Sequence, residues 1–207
     1  RKTKIILFDV DQVLIRPPHY YGAELKKQGY KNAEEILTDF FTNGDYRKCS
    51  EGKADELRLI APYLQKFGWK KGAEEYFLEQ FRFEAKYVDK DLISTVKKLK
   101  KQNIQCYLAT DQAKGRAEYI LSDMVFKNIF DKYFLSYSIG YRKCCGEFWE
   151  YVLKELKKSE KITAEEIAYF DNTQHNVNAA TKFGIKAFLF TDKIQFEKDL
   201  ASLLQTS

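Results

Sequence analysis

The sequence predicts an α/β fold: a doubly wound parallel sheet interrupted, after its first strand, by an inserted helical domain. Three observations lead there. Five short segments are almost continuously apolar, as strands buried on both faces are. Most are separated by stretches with helical periodicity, which means strand–helix alternation. About 70 residues after the first strand contain no convincing strand, far more than a strand-to-helix connection needs.

The expected strands are Lys4–Val10, Ile104–Ala109, Tyr133–Tyr137, Ile167–Phe170 and Lys186–Phe190. Between them, Asp89–Gln102 places Leu92, Val96 and Leu99 on one helical face. Gln112–Met124 does the same with Ala117, Ile120 and Met124, and Gly146–Lys157 with Trp149, Val152 and Leu156. The strandless stretch reads as helices near Ala33–Phe41, Lys53–Phe67 and Lys71–Tyr87. Its aromatics, among them Tyr21, Tyr30, Phe40, Phe41, Trp69, Tyr76 and Phe77, read mainly as the core of a small helical domain. The expected division is therefore a core of residues 1–16 and 89–207 with a helical domain of residues 17–88. Pro17-Pro18 and Tyr87–Asp91 are the natural hinges. Two independent domains would leave the first strand apart from its sheet.

Composition narrows the function. The chain has 207 residues, 44% hydrophobic and 31% charged, with a net charge of +5. Residues 17–88 carry 12 basic and 12 acidic side chains, so the excess lies elsewhere. Much of it is Lys97-Lys98-Leu99-Lys100-Lys101, at a helix end where cations suit the dipole. No nucleic-acid partner is expected from that pattern. No apolar run is long enough to span a bilayer, and Ile5-Ile6-Leu7-Phe8 is too short for a signal-peptide core. Cys49, Cys106, Cys144 and Cys145 form no metal-binding or redox spacing and read as free thiols, so a cytoplasmic protein is expected.

The residues that carry chemistry sit at strand ends. Phe8-Asp9-Val10-Asp11 puts two carboxylates directly after four apolar residues, an expensive arrangement for packing alone. One can attack phosphorus and bind a metal while the other moves a proton. Thr110-Asp111 follows the second strand, Gly140-Tyr141-Arg142-Lys143 follows the third, and Asp171-Asn172-Thr173 with Asn176 follows the fourth. Ligands of doubly wound sheets bind at that edge.

Together these motifs resemble the haloacid dehalogenase superfamily, in its branch with a helical cap inserted after the first motif. Asp9-Val10-Asp11 resembles its DxD motif, Leu108-Ala109-Thr110 its strand-end Thr/Ser, and Gly140–Lys143 its GxxK loop. Phe170–Ala180 with Phe183-Gly184-Ile185 resembles its FDDxxxNVxAAxxxG element. The resemblance implies a Rossmann-like core and a Mg²⁺-dependent phosphatase acting on a small phosphorylated metabolite or nucleotide. Asp9 would be the nucleophile and Asp11 the acid and base. Thr110 and Lys143 would bind the phosphoryl oxygens, with Asp111 beside them. Mg²⁺ would sit at Asp9, Asp11 (through its backbone carbonyl), Asp171 and Asn172. An acid at position 11 argues against dehalogenation, because halide leaves without a proton.

Three departures from the family pattern stand out: Gln12 where Gly is usual, Asn172 at the second acidic position, and Cys144-Cys145 after Lys143. A phosphomutase, or a family member that binds a phosphorylated ligand without turnover, are the alternatives. Tyr46-Arg47-Lys48 is the candidate for a second anionic contact, with Arg47 foremost. The sequence leaves the natural substrate and the oligomeric state open.

Overall fold

The computed structural model describes residues 1–205. Five strands, β1 (Ile5–Phe8), β2 (Gln105–Thr110), β3 (Lys132–Leu135), β4 (Ile167–Asp171) and β5 (Lys186–Leu189), form one sheet in the order β3-β2-β1-β4-β5. Every pairing is parallel. All five expected segments are strands, with shifted ends. The third stops at Leu135, because Ser136 already begins a helical turn.

Side chains alternate across the sheet, so each face has its own core. Ile6 and Phe8 of β1 join Leu108 and Phe170 on one face, under Leu92, Val96, Phe196 and Leu200. Ile5 and Leu7 join Tyr107 and Tyr169 on the other, under Trp149, Val152 and Leu156. Each such fully buried aliphatic or Phe side chain is worth about 1.5–3 kcal/mol relative to exposure. That burial lets the sheet hold costly polar groups at its edge.

Five helices lie between β1 and α6 (Lys90–Lys101): α1 (Tyr21–Lys27), α2 (Ala33–Thr42), α3 (Asp45–Ser50), α4 (Glu56–Lys66) and α5 (Ala73–Ala85). They share a third hydrophobic cluster built on Leu25, Phe40, Ile60, Trp69, Tyr76 and Phe81. The rest of the chain supplies α7 (Lys114–Ser122), the single turn α8 (Ser136–Ile139), α9 (Gly146–Glu160), α10 (Gln174–Thr181) and α11 (Lys193–Gln205). The sequence reading had not anticipated α1, α3 or α11. The first two are too short to show a period, but Phe196, Leu200 and Leu203 give α11 a clear one.

The two connections to the helical segment run side by side. Arg16 N donates to Tyr87 O at 3.0 Å and Asp89 N to Leu14 O at 2.8 Å, and Ile15 faces Val88 in an antiparallel bridge. Asp89 also caps α6, accepting from Leu92 N at 2.9 Å, and forms an ion pair with Arg16. Opposite this joint, α3 reaches the sheet's carboxyl edge. There Ser136 Oγ donates to Ser50 O at 2.5 Å. Gly52 lies so close that a Cβ would stand 2.2 Å from the Tyr137 carbonyl oxygen.

Candidate active site

The chain leaves β1 for strands on one side, then returns to place β4 on the other. The crevice at such a reversal is where doubly wound sheets bind ligands. Asp9 and Asp171 flank it. Beyond Asp9 the chain folds back on itself: Leu14 N and Ile15 N both donate to Val10 O, at 2.9 and 3.0 Å. Gln12 takes φ 58° to make that turn, a left-handed conformation that suits Gly better. The residue that departs from the family's Gly thus adopts the conformation Gly would favour.

Lys143 is 2% exposed and its ammonium lies between two carboxylates, 2.6 Å from Asp9 Oδ1 and 2.7 Å from Asp171 Oδ2. Its backbone is fixed as firmly. Lys143 N donates to Asp111 Oδ1 at 2.9 Å, Arg142 Nε to Asp111 Oδ2 at 3.2 Å, and Trp149 Nε1 to Lys143 O at 2.7 Å. Asp111, expected beside substrate, thus has both oxygens engaged in holding the Lys143 loop. Asp171 is fully buried and saturated: besides Lys143 it accepts from the Tyr169 hydroxyl, Thr173 N at 2.7 Å and the Asn176 amide.

Burial pushes the Asp9 carboxyl up to about 7, against the pull of Lys143 and with help from the Asp171 charge. Burial acts the same way on Asp171, but Lys143 and the hydrogen bonds outweigh it and hold that carboxyl below its usual range. Burial alone would lower the Lys143 ammonium; the Asp9 and Asp171 carboxylates raise it instead. Asp9 Oδ1 also accepts from Val10 N at 2.8 Å, while Oδ2 accepts no hydrogen bond from the described residues. Thr110 is buried, and its hydroxyl oxygen accepts from Gln112 Nε2 at 2.9 Å, which leaves its proton free to donate.

Asp11 points elsewhere, with half its side chain exposed. Arg116 NH2 meets Asp11 Oδ1 at 2.8 Å, Arg116 NH1 donates to Oδ2 at 3.1 Å, and Gln112 Nε2 donates to Oδ2 at 2.7 Å. Arg116 in turn binds Glu84 of α5 through Nε and NH2, both at 2.8 Å. The sequence reading missed Arg116, Gln112 and Glu84. The i, i+4 spacing of Gln112 and Arg116 at the start of a helix was the one available signal.

The four expected metal ligands do not converge as side chains. Asn172 is exposed, Asp171 is saturated, and no three acidic, His or Cys side chains among the described residues could enclose an ion. The oxygens that remain are Asp9 Oδ2, the Asp11 carbonyl and the Asn172 amide. That hard, weakly charged set fits Mg²⁺, which keeps several waters and uses few carboxylates. Arg47 is 59% exposed along its side chain, bonds to Glu51 at 3.1 Å, and borders a 400 Å³ cavity with Asp111 and Arg142.

The haloacid dehalogenase-like hydrolase family model matches residues 3–184. Among solved structures, a HAD family enzyme, BT-2542 of Bacteroides thetaiotaomicron, superimposes with TM-score 0.71 at 17% identity, covering 91% of this chain and 94% of that one. Its complex with magnesium and inorganic phosphate gives TM-score 0.69, also at 17% identity, over 90% and 93%. A predicted HAD-like family hydrolase from Porphyromonas gingivalis gives 0.71 at 16% identity, covering 97% and 98%. Drimenol cyclase drtB of Aspergillus calidoustus is 26% identical over 125 residues, which is 60% of this chain and 22% of that protein. The chain thus spans about a fifth of the curated relative it matches.

Proposed function

Since the chain belongs to the haloacid dehalogenase-like hydrolases, we propose that it is a magnesium-dependent phosphatase working through an aspartyl-phosphate on Asp9. The observation that carries this reading is the buried Asp9–Lys143–Asp171 cluster, which leaves one Asp9 oxygen and one ammonium proton without a protein partner. The Bacteroides enzyme crystallised with magnesium and inorganic phosphate supports it.

In the first step Asp9 attacks phosphorus, the bond to the ester oxygen breaks, and Asp11 delivers a proton to that oxygen. In the second, Asp11 takes a proton from water, which attacks the aspartyl-phosphate and releases phosphate. Lys143 and the Thr110 hydroxyl donate to the phosphoryl oxygens, where charge spreads during transfer. Asp171, Tyr169 and Asn176 keep Lys143 in place. Bound magnesium, held by Asp9, the Asp11 carbonyl and the Asn172 amide, supplies further neutralisation of phosphoryl charge. Residues 17–88 form a cap that covers the crevice and selects the ester.

Hydrolysis of p-nitrophenyl phosphate tests the proposal. Activity is expected with Mg²⁺ and lost with chelator, and Asp9→Asn is expected to abolish it while circular dichroism stays unchanged. Turnover indifferent to chelator, or an active and folded Asp9→Asn protein, rejects the mechanism.

A further inference from the structure

The side of the site that Asp11 faces is not solid. A cavity of 260 Å³ opens there between the strand ends and the helical segment, bordered by Asp11, Asp111 and Gln112 below and by α1, α2 and α5 above. Asp11 is the group that hands a proton to the departing oxygen, so the body of the leaving alcohol must extend from Asp11 into this space. The wall therefore states what that body can be.

Most of the wall is apolar or aromatic: Tyr21, Leu37, Phe41, Tyr46 and Tyr76. Its formal charges are almost all negative, and each is already paired: Asp11 and Glu84 with Arg116, Asp111 with Arg142, and Glu34 with Lys26. Arg116 is the one cation lining it, and that guanidinium has nothing left to offer. Its five N–H groups match five contacts: Nε and NH2 to Glu84, NH2 and NH1 to Asp11, and NH1 to Gln112 Oε1 at 2.7 Å. A second phosphate or a carboxylate placed here would find no uncommitted cation on the wall to offset its lost hydration, which costs free energy in a partly dry site.

Two residues of the same wall carry a polar atom without a partner. Gln80 Oε1 and the Tyr76 hydroxyl are buried and take part in no hydrogen bond. The orientation of the Gln80 amide is fixed chemically, because its nitrogen donates to Glu84 Oε1 at 2.9 Å and a carboxylate cannot accept from an oxygen. Glu84, Gln80 and Tyr76 follow at i, i−4 and i−8 on α5. At ~1.5 Å per residue, Gln80 lies ~6 Å and Tyr76 ~12 Å further along the helix than the Glu84 that holds Arg116. A buried acceptor left unpaired costs about 1–3 kcal/mol, and a small turn of the Gln80 side chain toward an occupant's donor at that depth would remove the cost.

We infer that the substrate is the phosphate monoester of an uncharged, largely aromatic or aliphatic alcohol with a hydroxyl at its far end, rather than a nucleotide, a bisphosphate or a phosphorylated acid. The inference rests on the phosphatase reading above. It also moves the specificity contact from Arg47, which pairs with Glu51, to the wall formed by α1, α2 and α5.

The test compares kcat/KM for 2-phenylethyl phosphate, 2-(4-hydroxyphenyl)ethyl phosphate and 3-phosphoglycerate. The neutral esters are expected to exceed the phosphorylated acid by about tenfold or more. The hydroxylated ester is expected to exceed its parent, a gain that Gln80→Leu erases. Thr38→Arg adds a cation at an exposed position on the cavity wall and should shift the ratio toward 3-phosphoglycerate. Equal or better turnover of 3-phosphoglycerate by the wild type overturns the inference, and no gain from the hydroxyl overturns the role of Gln80. If no ester is hydrolysed, the phosphatase reading falls and the cavity is judged by equilibrium binding. Preference for 2-phenylethylphosphonate over phosphonoacetate, followed by intrinsic fluorescence, upholds the inference; no preference overturns it.

Discussion

Asp9 and Asp11 leave the same strand two residues apart and enter different surroundings. Asp9 is buried against Lys143, whose place is set by the strand-end loops of the sheet itself. Asp11 is half exposed and bound to Arg116, which also holds Glu84 of the helical segment. One carboxylate belongs to a rigid centre; the other is linked to the part that covers it. On the proposed mechanism, one scaffold can keep its chemistry at Asp9 while changing the ester it accepts. Everything touching Asp9 comes from the sheet edge, and what touches Asp11 also answers to the helices above.

Removing the cation on each side tests that contrast most severely. Lys143→Met leaves two buried carboxylates facing each other and is expected to cost about 3–5 kcal/mol of stability along with all activity. Arg116→Met is expected to cost less in a denaturant titration, because water reaches the Asp11 it abandons and Gln80 still donates to the Glu84 beside it. Equal losses would mean that the two aspartates are not so differently placed. Next in size, Asp11→Asn should slow turnover by about 10²–10⁴-fold with little change in stability, since position 11 is half exposed and the amide oxygen can still accept from Gln112. A strongly unfolded Asp11→Asn protein contradicts its half-exposed setting.

Asn172→Asp returns a negative charge beside the remaining oxygens and should tighten Mg²⁺ by roughly tenfold, about 1.4 kcal/mol, in a calorimetric titration. Unchanged affinity would show that residue 172 does not face the ion. The smallest effect concerns protons. In metal-free protein the native Asp9 carboxyl holds its proton up to about 7, while the unfolded chain releases it near its ordinary 3.8. The native state therefore binds more protons between those values, and the Asp9 contribution to stability is lost as pH rises through them. The stability of Asp9→Asn relative to wild type should accordingly grow from pH 4 to pH 8 in chelator. A constant difference would mean that Asp9 is ionised throughout.

The division between what the sequence revealed and what it hid follows the same line. Asp9, Thr110 and Asp171 were legible because each follows an apolar run at the end of a strand, so a parallel sheet brings them to one edge, and Lys143 because its GxxK loop follows the third strand and α8. Arg116 and Glu84 were not, because their meeting depends on how α5 lies over α7, which no local pattern encodes. The cavity wall was hidden for the same reason: Tyr21, Phe41 and Tyr76 look like ordinary core aromatics until the helices are placed. The Arg47–Glu51 pair was legible too, since Glu51 stands four residues on, at the spacing of a helical ion pair.

The paired connections between sheet and helices have a mechanical consequence. Because Leu14–Arg16 and Tyr87–Asp89 are hydrogen-bonded to each other, sliding or twisting the helices over the sheet would tear that short ladder apart. Swinging about it, as a cover turns on a book's spine, leaves it whole. Such a swing would close where Gly52 already rests, against the Tyr137 carbonyl. The missing side chain at position 52 acts as the doorstop that was left out: any larger residue would hold the cover ajar and admit water to the crevice around Asp9.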